Sequence, residues 1–531
     1  MLKIEGLRLP PGGDLSREAA RLLRVPALRS LRLLRRSLDA REDPPVLVCS
    51  VAVEVDRESS VLRRCRNRKV SPYLPPPVYR LPEPRPPLPG PPPVVVGAGP
   101  AGLFAALALA AAGQRPVLLE RGQPVEARRA AVERFWDAGI LDLESNVQFG
   151  EGGAGAFSDG KLNTGTRDPS HRFILERLAA WGAPEDILVD ARPHVGTDYL
   201  RIVLQTLRRE LLALGADLRF GVRLEDLELE QGALRAIQIS GPGGREVLPC
   251  RRLILAPGHS ARDSFAMLHA RGVPMEAKPF AVGLRIEHRQ ADCDAAQYRQ
   301  YAGRPGLPAA SYKLSCHLSG GRGVFSFCVC PGGQVVAAAS ETGRVATNGM
   351  SAFARDQENI NGGLLVGVTP EDFGGSGPLA GVAFQRRLEE AAYALGGGGY
   401  RAPAQRVEDF LARRPSTGPG RVLPSYRPGV TWANLWDCLP PFAGEALAEA
   451  LPLLGRKLRG YDHPDAVLTA VESRSSSPLR ILRDQDCRSP LRGLYPCGEG
   501  AGYAGGILSA AADGLRCAAA LLRDAGESHS L

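Results

Sequence analysis

The clearest chemical signal in this 531-residue chain is the stretch Gly97-Ala98-Gly99-Pro100-Ala101-Gly102. Glycines at this spacing divide the work. The first permits a tight turn, the second lets backbone approach a pyrophosphate, and the third lets a helix pack close to a strand. The turn follows an apolar strand, Val94-Val95-Val96, and opens an Ala-rich helix over residues 103–112, which Gly113 stops. Phosphates placed there would face unpaired N–H groups at the positive end of the helix. A second strand over 116–120 ends at Glu120, eighteen residues past Gly102, where an acid is needed for ribose hydroxyls; Arg121 follows it. A lone glycine pattern is weak, but this one has the strand, the helix and the acid in place, so it predicts a dinucleotide site.

Two further segments choose the dinucleotide. Leu253-Ile254-Leu255-Ala256-Pro257-Gly258 is an apolar strand closed by a turn, and it resembles the middle fingerprint of two-dinucleotide-fold flavoproteins, with Pro257 in place of the usual Thr. Leu494-Tyr495-Pro496-Cys497-Gly498-Glu499-Gly500 resembles their late motif, with Glu499 where Asp is usual. There the acid would meet ribityl hydroxyls. The helix start at Gly505, Gly506 and Ile507 would aim N–H groups at the edge of the flavin ring. A dehydrogenase that binds only NAD has no need of the last two segments, so the reading is FAD. A second Gly-x-Gly-x-x-Gly, residues 150–155, follows no apolar strand and opens no apolar helix. Its Gly152 and Gly153 are read as a loop packing on the flavin, with N–H groups able to form an anion nest. No separate nicotinamide domain remains, so NAD(P)H is expected to dock transiently as electron donor.

With these segments, the strings 94–121 and 149–162, Asn348-Gly349-Met350-Ser351, and 495–507 resemble the uncharacterised bacterial FAD-dependent dehydrogenase family. The resemblance extends over nearly the whole chain. It implies a two-dinucleotide-fold flavoprotein with FAD and an inserted substrate domain, and little about substrate. Pro257 and Glu499 depart from the pattern and weaken those two contacts.

Candidates for the chemistry itself are sparser, because the cofactor performs the redox step and the protein supplies position and charge. Lys161 would place a cation near the flavin or an anionic substrate, unless it is a surface lysine. His259 directly follows the middle fingerprint and is a candidate proton donor, against a turn histidine with a structural hydrogen bond. Arg474, within Glu472-Ser473-Arg474-Ser475, is a candidate for a carboxylate or phosphate. Asn348 and Met350 rest on the resemblance alone, and Cys497 reads as a buried strand cysteine. No metal site is expected.

The elements that must position these residues read as an α/β chain in several parts. A Rossmann-like FAD-binding domain occupies 94–262 and resumes at 487–531 with a strand, a glycine turn and a helix. An inserted α+β substrate domain spans 263–486. Residues 1–70 form a small module, expected to be ferredoxin-like, with a strand over 3–9, a helix capped by Asp14 and a strand over 46–55. Twelve prolines in residues 71–93 rule out helix or central strand and predict an extended linker.

Composition narrows the function classes. The chain is 44% hydrophobic and 23% charged, an ordinary globular balance. It lacks the run of about 18 apolar residues a membrane helix needs and shows no secretory signal, so a cytoplasmic location is expected. The +9 charge comes almost wholly from Arg, since only Lys3, Lys69, Lys161, Lys278, Lys313 and Lys457 are lysines. That looks like codon bias, although residues 57–69 would be the patch for a nucleic acid. Eleven cysteines include no Cys-x-x-Cys, the closest pair being Cys328-Val329-Cys330; most read as small buried hydrophobes. The leading reading is a FAD-dependent oxidoreductase passing electrons from a nicotinamide donor to a small organic acceptor. Its rivals are a flavin monooxygenase, disfavoured by Ala256-Pro257-Gly258 where an Asp-Gly is expected, and an RNA-interacting flavoprotein. The sequence carries no signal for oligomeric state.

Overall fold

The computed structural model describes residues 1–65, 67–375 and 377–527. At its centre Val94–Val96 lies between Leu253–Leu255 and Val117–Glu120, with Leu494–Pro496 and Asp217–Phe220 at the two edges. All four pairings are parallel. Such strands are apolar throughout because both faces are covered, and the side-chain period of two decides which cover each residue meets. Val95, Leu118, Ile254 and Tyr495 face the helices Pro100–Ala111 and Ile507–Glu527. Val94, Val117, Leu119 and Leu253 face a second layer that includes Leu224, Ile237 and Ile239. That layer is the antiparallel meander Arg223–Glu230, Ala233–Gly241 and Gly244–Pro249.

Alternation alone reads residues 217–230 and 246–256 as one strand each, and both divide. The apolar run over 217–230 breaks at Gly221, where φ is +69°, so its first half joins the parallel sheet and its second the meander. The run over 246–256 likewise splits between Gly244–Pro249 and Leu253–Leu255.

The part between is built on a seven-stranded sheet. In spatial order its strands are Ser315–His317, Gly323–Cys330, Asn359–Val368, Phe280–Arg289, Val467–Glu472, Ala402–Arg406 and Val430–Trp432. The chain enters and leaves it along one antiparallel ribbon, Met275–Ala277 against Leu479–Ile481. The helix Arg262–Ala270 precedes that ribbon. Its Phe265 and Leu268 are buried with the parallel sheet, and so are Leu479 and Ile481. The helix and the ribbon thus pack with the parallel sheet, although the expected division places residues 263–486 in the inserted part.

At the N-terminus, Ser30–Asp39, Val46–Glu54, Leu2–Leu9 and Val70–Pro72 form an antiparallel sheet in that order, with helices Leu15–Leu23 and Glu58–Arg64. Asp14 caps the first helix by accepting from Arg17 N at 3.0 Å. Arg66, inside the basic stretch 57–69, lies outside the described residues. The proline stretch does not stand free. Leu74 and Val78 are 83% and 79% exposed, but from Tyr79 onward the chain lies against the FAD-binding part. Tyr79 packs on Phe173, Arg85 N donates to Ala112 O at 3.2 Å, and Leu88 N donates to Gln114 Oε1 at 2.8 Å. Among the described residues, no helix is long and apolar enough to cross a membrane.

Candidate functional site

The three glycines of the turn meet different surroundings. A Cβ on Gly97 would sit 2.1 Å from Ala256 O, and Gly97 has φ +98°. A Cβ on Gly102 would sit 1.8 Å from Gly97 O. Both are glycine because backbone presses on them. On Gly99 a Cβ would meet only Gly153 Cα, at 3.9 Å. Its open side faces a cleft that Pro100 and Ala101, the first residues of the helix, also line.

Around this turn lies the second glycine loop. Gly152 N donates to Ala98 O at 2.8 Å, and a Cβ on Gly153 would sit 3.1 Å from Gly99 Cα. The loop runs into a single 3-10 turn, Ala154–Phe157, not a helix. Glu120 lines the cleft too, but its buried carboxylate already accepts N–H from Ala98 at 2.7 Å and from Gly122 and Gly150 at 2.9 Å each. It thus staples the first turn to the second loop, and part of its capacity remains for a ribose. Arg121 pairs with Glu144 and Asp263 and lies 4.0 Å over the Phe149 ring. Sequence reading missed Arg128. Fully buried, it donates to the carbonyls of Asn146, Val147 and Glu151 at 2.7–3.0 Å. Burial lowers its pKa to about 10, against the opposing pull of Glu120 and Glu151.

The middle and late segments touch. A Cβ on Gly500 would sit 2.5 Å from Gly258 O, and one on Gly498 2.7 Å from Ala101 Cβ. The late turn is fixed by Asp513, which accepts from Gly498 N at 2.8 Å and pairs with Arg483 at 2.6 Å. Asp513, one turn and a half into the last helix, was another residue the sequence reading passed over. Its neighbours Cys497 and Cys517 lie within 4.8 Å of it, but the Arg483 guanidinium, 3.2 Å from Cys517 Sγ, occupies the place a cation would take. Glu499 lines the cleft; its backbone carbonyl accepts from Gly502 N at 2.9 Å, and its carboxylate accepts no hydrogen bond from the described residues. Burial raises its pKa to about 7, with Lys278 pulling the other way. Gly505, Gly506 and Ile507 complete that wall at the start of the last helix.

Opposite them stands the inserted sheet. Phe327, Cys328, Asn348, Glu472 and Ser475 line the same cleft. Arg285, fully buried, pairs with Glu472 at 2.7 Å and donates to Asn348 Oδ1 at 3.0 Å and Cys328 O at 2.9 Å. Lys161 reaches this wall, bonded to Val329 O and 3.1 Å from the buried Asp159. Arg355 holds Asp159 from the other side at 2.5 Å. Burial opposes the Lys161 charge, yet its pKa is raised by Cys330, Cys328 and Asp159. It is neither a free surface lysine nor an unpaired cation. Met350 does not line the cleft; it sits on the two-stranded ribbon with Gln334–Ala337.

Two expected chemical residues take other places. Arg474 grips Glu389 through Nε at 2.9 Å and Nη2 at 2.7 Å, and gives Nη1 to Ser340 and Ser260. Arg262 holds Glu389 from the opposite side at 2.7 Å. Arg474 is thus committed to a clamp between the helix Arg262–Ala270 and the inserted part, which corrects its reading as an anion hook. His259 lines the cleft beside Ser260, with Nδ1 3.1 Å from its hydroxyl. Burial, then repulsion by Arg474 and Arg262, lowers its pKa to about 4. The lowered value favours the uncharged ring, and the bond to Ser260 fits the alternative reading of this residue, a turn histidine with a structural hydrogen bond.

The cleft fits a flavin dinucleotide. Gly99, Gly258, Gly505 and Gly506 line it, and no protein atom comes within 3.9 Å of a Cβ built on any of them. Space is therefore kept for something other than protein along the whole path from Glu120 to the last helix. Residues 93–142 match the family described as FAD binding domain, and residues 279–475 the family described as FAD-dependent protein, C-terminal domain-like. An uncharacterised protein of Clostridium beijerinckii is 46% identical over 491 residues, covering 92% of this chain and 91% of its own. Among solved structures, an E. coli quinol fumarate reductase matches at 12% identity and TM-score 0.36, covering 82% of this chain and 70% of its own. A flavin-dependent brominase matches at 11% identity and TM-score 0.37, covering 82% and 80%. The chain belongs to the uncharacterised bacterial family of FAD-dependent proteins that this relative shares, and FAD is its cofactor.

Proposed function

We propose that this FAD-dependent flavoprotein takes electrons from a transiently docking nicotinamide donor and passes them to a small organic acceptor held against the inserted sheet. The observation that carries this reading is the single cleft, continuous from Gly99 and Glu120 to Phe327, Asn348 and Glu472. A cofactor along one wall and an acceptor along the other would share that space. In this reading the turn 97–102 holds the pyrophosphate and Glu120 with Arg121 flanks the adenosine ribose. Gly153 covers the phosphates, while Gly152, which does not line the cleft, ties that loop to Ala98 O. Ala256, Gly258, Gly498 and Glu499 line the ribityl chain, and Gly505, Gly506 and Ile507 approach the ring. The bound FAD supplies two-electron transfer. The chain's own groups position and polarise. The helix beginning at Ile507 offers unpaired N–H groups to a developing negative charge. Lys161, Arg285 and their acids fix the charge of the opposite wall.

The test is anaerobic mixing of the FAD-loaded protein with NADH or NADPH while flavin absorbance is followed. Bleaching by one of them, restored by an organic acceptor without oxygen, is the expected result. If neither nucleotide reduces the flavin, the nicotinamide half of the reading is wrong. Oxygen consumed together with a hydroxylated product would replace it with a monooxygenase.

A further inference from the structure

The strand Gly323–Cys330 ends in the cleft wall on Cys328-Val329-Cys330. Its pairing with Asn359–Val368 slips between Phe327 and Cys330. Cys328 has φ +40°, a conformation that a non-glycine residue seldom adopts. In this bulge Cys330 Sγ donates to Cys328 O at 3.3 Å, so the two cysteines, two residues apart, are drawn together. Both cations of the wall brace the bulge, Arg285 through Cys328 O and Lys161 through Val329 O. Cys330 is fully buried and Cys328 partly so. Cys328 shares the cleft with Glu499 and Gly506, at the late-turn end.

The electrostatics agree with the geometry. The Cys328 thiol is held well below the ordinary value by the Cys330 hydrogen bond and, against burial, by Lys161 and Arg285. Cys330 is held above it by the same hydrogen bond and by burial. A thiolate beside a thiol is the form that enters disulfide chemistry. The chain has no Cys-x-x-Cys, but a disulfide requires that two sulfurs can meet, not that spacing.

We infer that Cys328 and Cys330 form a second two-electron centre, cycling between dithiol and disulfide in exchange with bound FAD. In the oxidising direction, the Cys330 S–H bond breaks and an Sγ–Sγ bond forms. The two electrons and that proton convert oxidised flavin to its reduced anion. The reverse step returns a thiolate at Cys328 and a thiol at Cys330. This inference rests on FAD binding and not on the identity of donor or acceptor.

The full-length FAD-loaded protein, pretreated with a thiol oxidant and freed of it, is titrated anaerobically with dithionite. Wild type is expected to take up four electrons per flavin, and Cys328→Ser and Cys330→Ser two, at unchanged flavin content. In parallel, alkylation and mass spectrometry of wild type should find both cysteines blocked when the flavin is oxidised and both alkylated when it is reduced. Uptake of two electrons per flavin by wild type, with both cysteines alkylated in either state, overturns the inference. The wild-type alkylation decides the matter even if a variant fails to fold. Because flavin content is read separately, loss of FAD is distinguished from loss of the second centre.

Discussion

What a methyl group would meet separates two kinds of glycine in the cleft. Gly97 and Gly102 are pressed by backbone at about 2 Å, whereas Gly99 and Gly506 face open space. The first pair serves the fold and the second pair keeps room for the cofactor. Gly99→Val and Gly506→Val are therefore expected to fold, with circular dichroism and thermal midpoint near wild type. Their FAD affinity should fall at least about tenfold, the equivalent of about 1.4 kcal/mol. Gly102→Ala should instead damage the fold itself. A folded Gly99→Val that keeps stoichiometric FAD would show that this turn is not the phosphate site. These glycines were legible in the sequence because a backbone requirement leaves only one residue type. Arg128 was legible in principle. It occupies an apolar stripe position with Val125, Val132 and Phe135, and a charge there must be satisfied internally. Which carbonyls satisfy it is set by the fold of residues 146–151, which no local pattern announces. Arg474 and His259 show the opposite failure. Their types invite chemistry, but a partner 85 residues away in sequence, Glu389, and two neighbouring guanidiniums decide their roles.

Between elements, the Arg262–Glu389–Arg474 cluster ties the helix Arg262–Ala270 to the helix Ala380–Leu395 and to the segment after Val467–Glu472. Glu389 is fully buried, and although burial favours its neutral form, the two guanidiniums hold its pKa below the ordinary glutamate value. Removing one member of such a cluster strands its partners, so Glu389→Gln should cost about 3–5 kcal/mol in denaturant unfolding. The sign of the pH effect follows from the lowered folded value. The contribution is complete above the ordinary glutamate pKa of about 4.3 and is lost as pH falls through the folded one. Wild type should thus lose stability on acidification more steeply than Glu389→Gln. Parallel curves for the two proteins would mean the carboxylate is not charged in the fold. Apolar composition and a flanking glycine were sufficient to find the helix Pro100–Ala111. Periodicity failed at Ser30–Asp39, where Leu and Arg alternate until a bulge between Leu33 and Arg35 shifts the phase. It also fused strands across Gly221, because apolar alternation records burial and not which sheet does the burying.

For the whole molecule, the question is what the proline stretch joins. An extended chain that few contacts cross would leave residues 1–75 separable, but two sets of contacts do cross. The strand Ser30–Asp39 reaches the FAD-binding part, with Arg36 N donating to Val189 O at 2.7 Å and Ala191 N donating to Arg36 O at 2.8 Å. The Arg36 guanidinium adds Asp190 and Asp186 at 2.8 and 3.1 Å. The second half of the linker brings its own bonds: Arg85 to Leu522 O at 3.0 Å, Leu88 N to the buried Gln114, and Arg252 to Pro89 O at 3.0 Å. Arg85 and Gln114 sit beside the two helices whose N-termini open on the cleft. The linker therefore has a loose first half, around the exposed Leu74 and Val78, and a docked second half. A chain beginning near Leu74 should keep its FAD and most of its stability, since it loses the Arg36 bonds, the Asp43–Arg299 pair and the packing of the half-buried Leu38 and Ala40. A chain beginning at Pro91 should lose about 3–6 kcal/mol more, because five hydrogen bonds go and Gln114 is left buried with fewer partners. Limited proteolysis should cut before Tyr79 and spare residues 79–90. Equal stability and equal FAD content for the two truncations would show that the docked half contributes nothing, and that the proline stretch is a tether along its whole length.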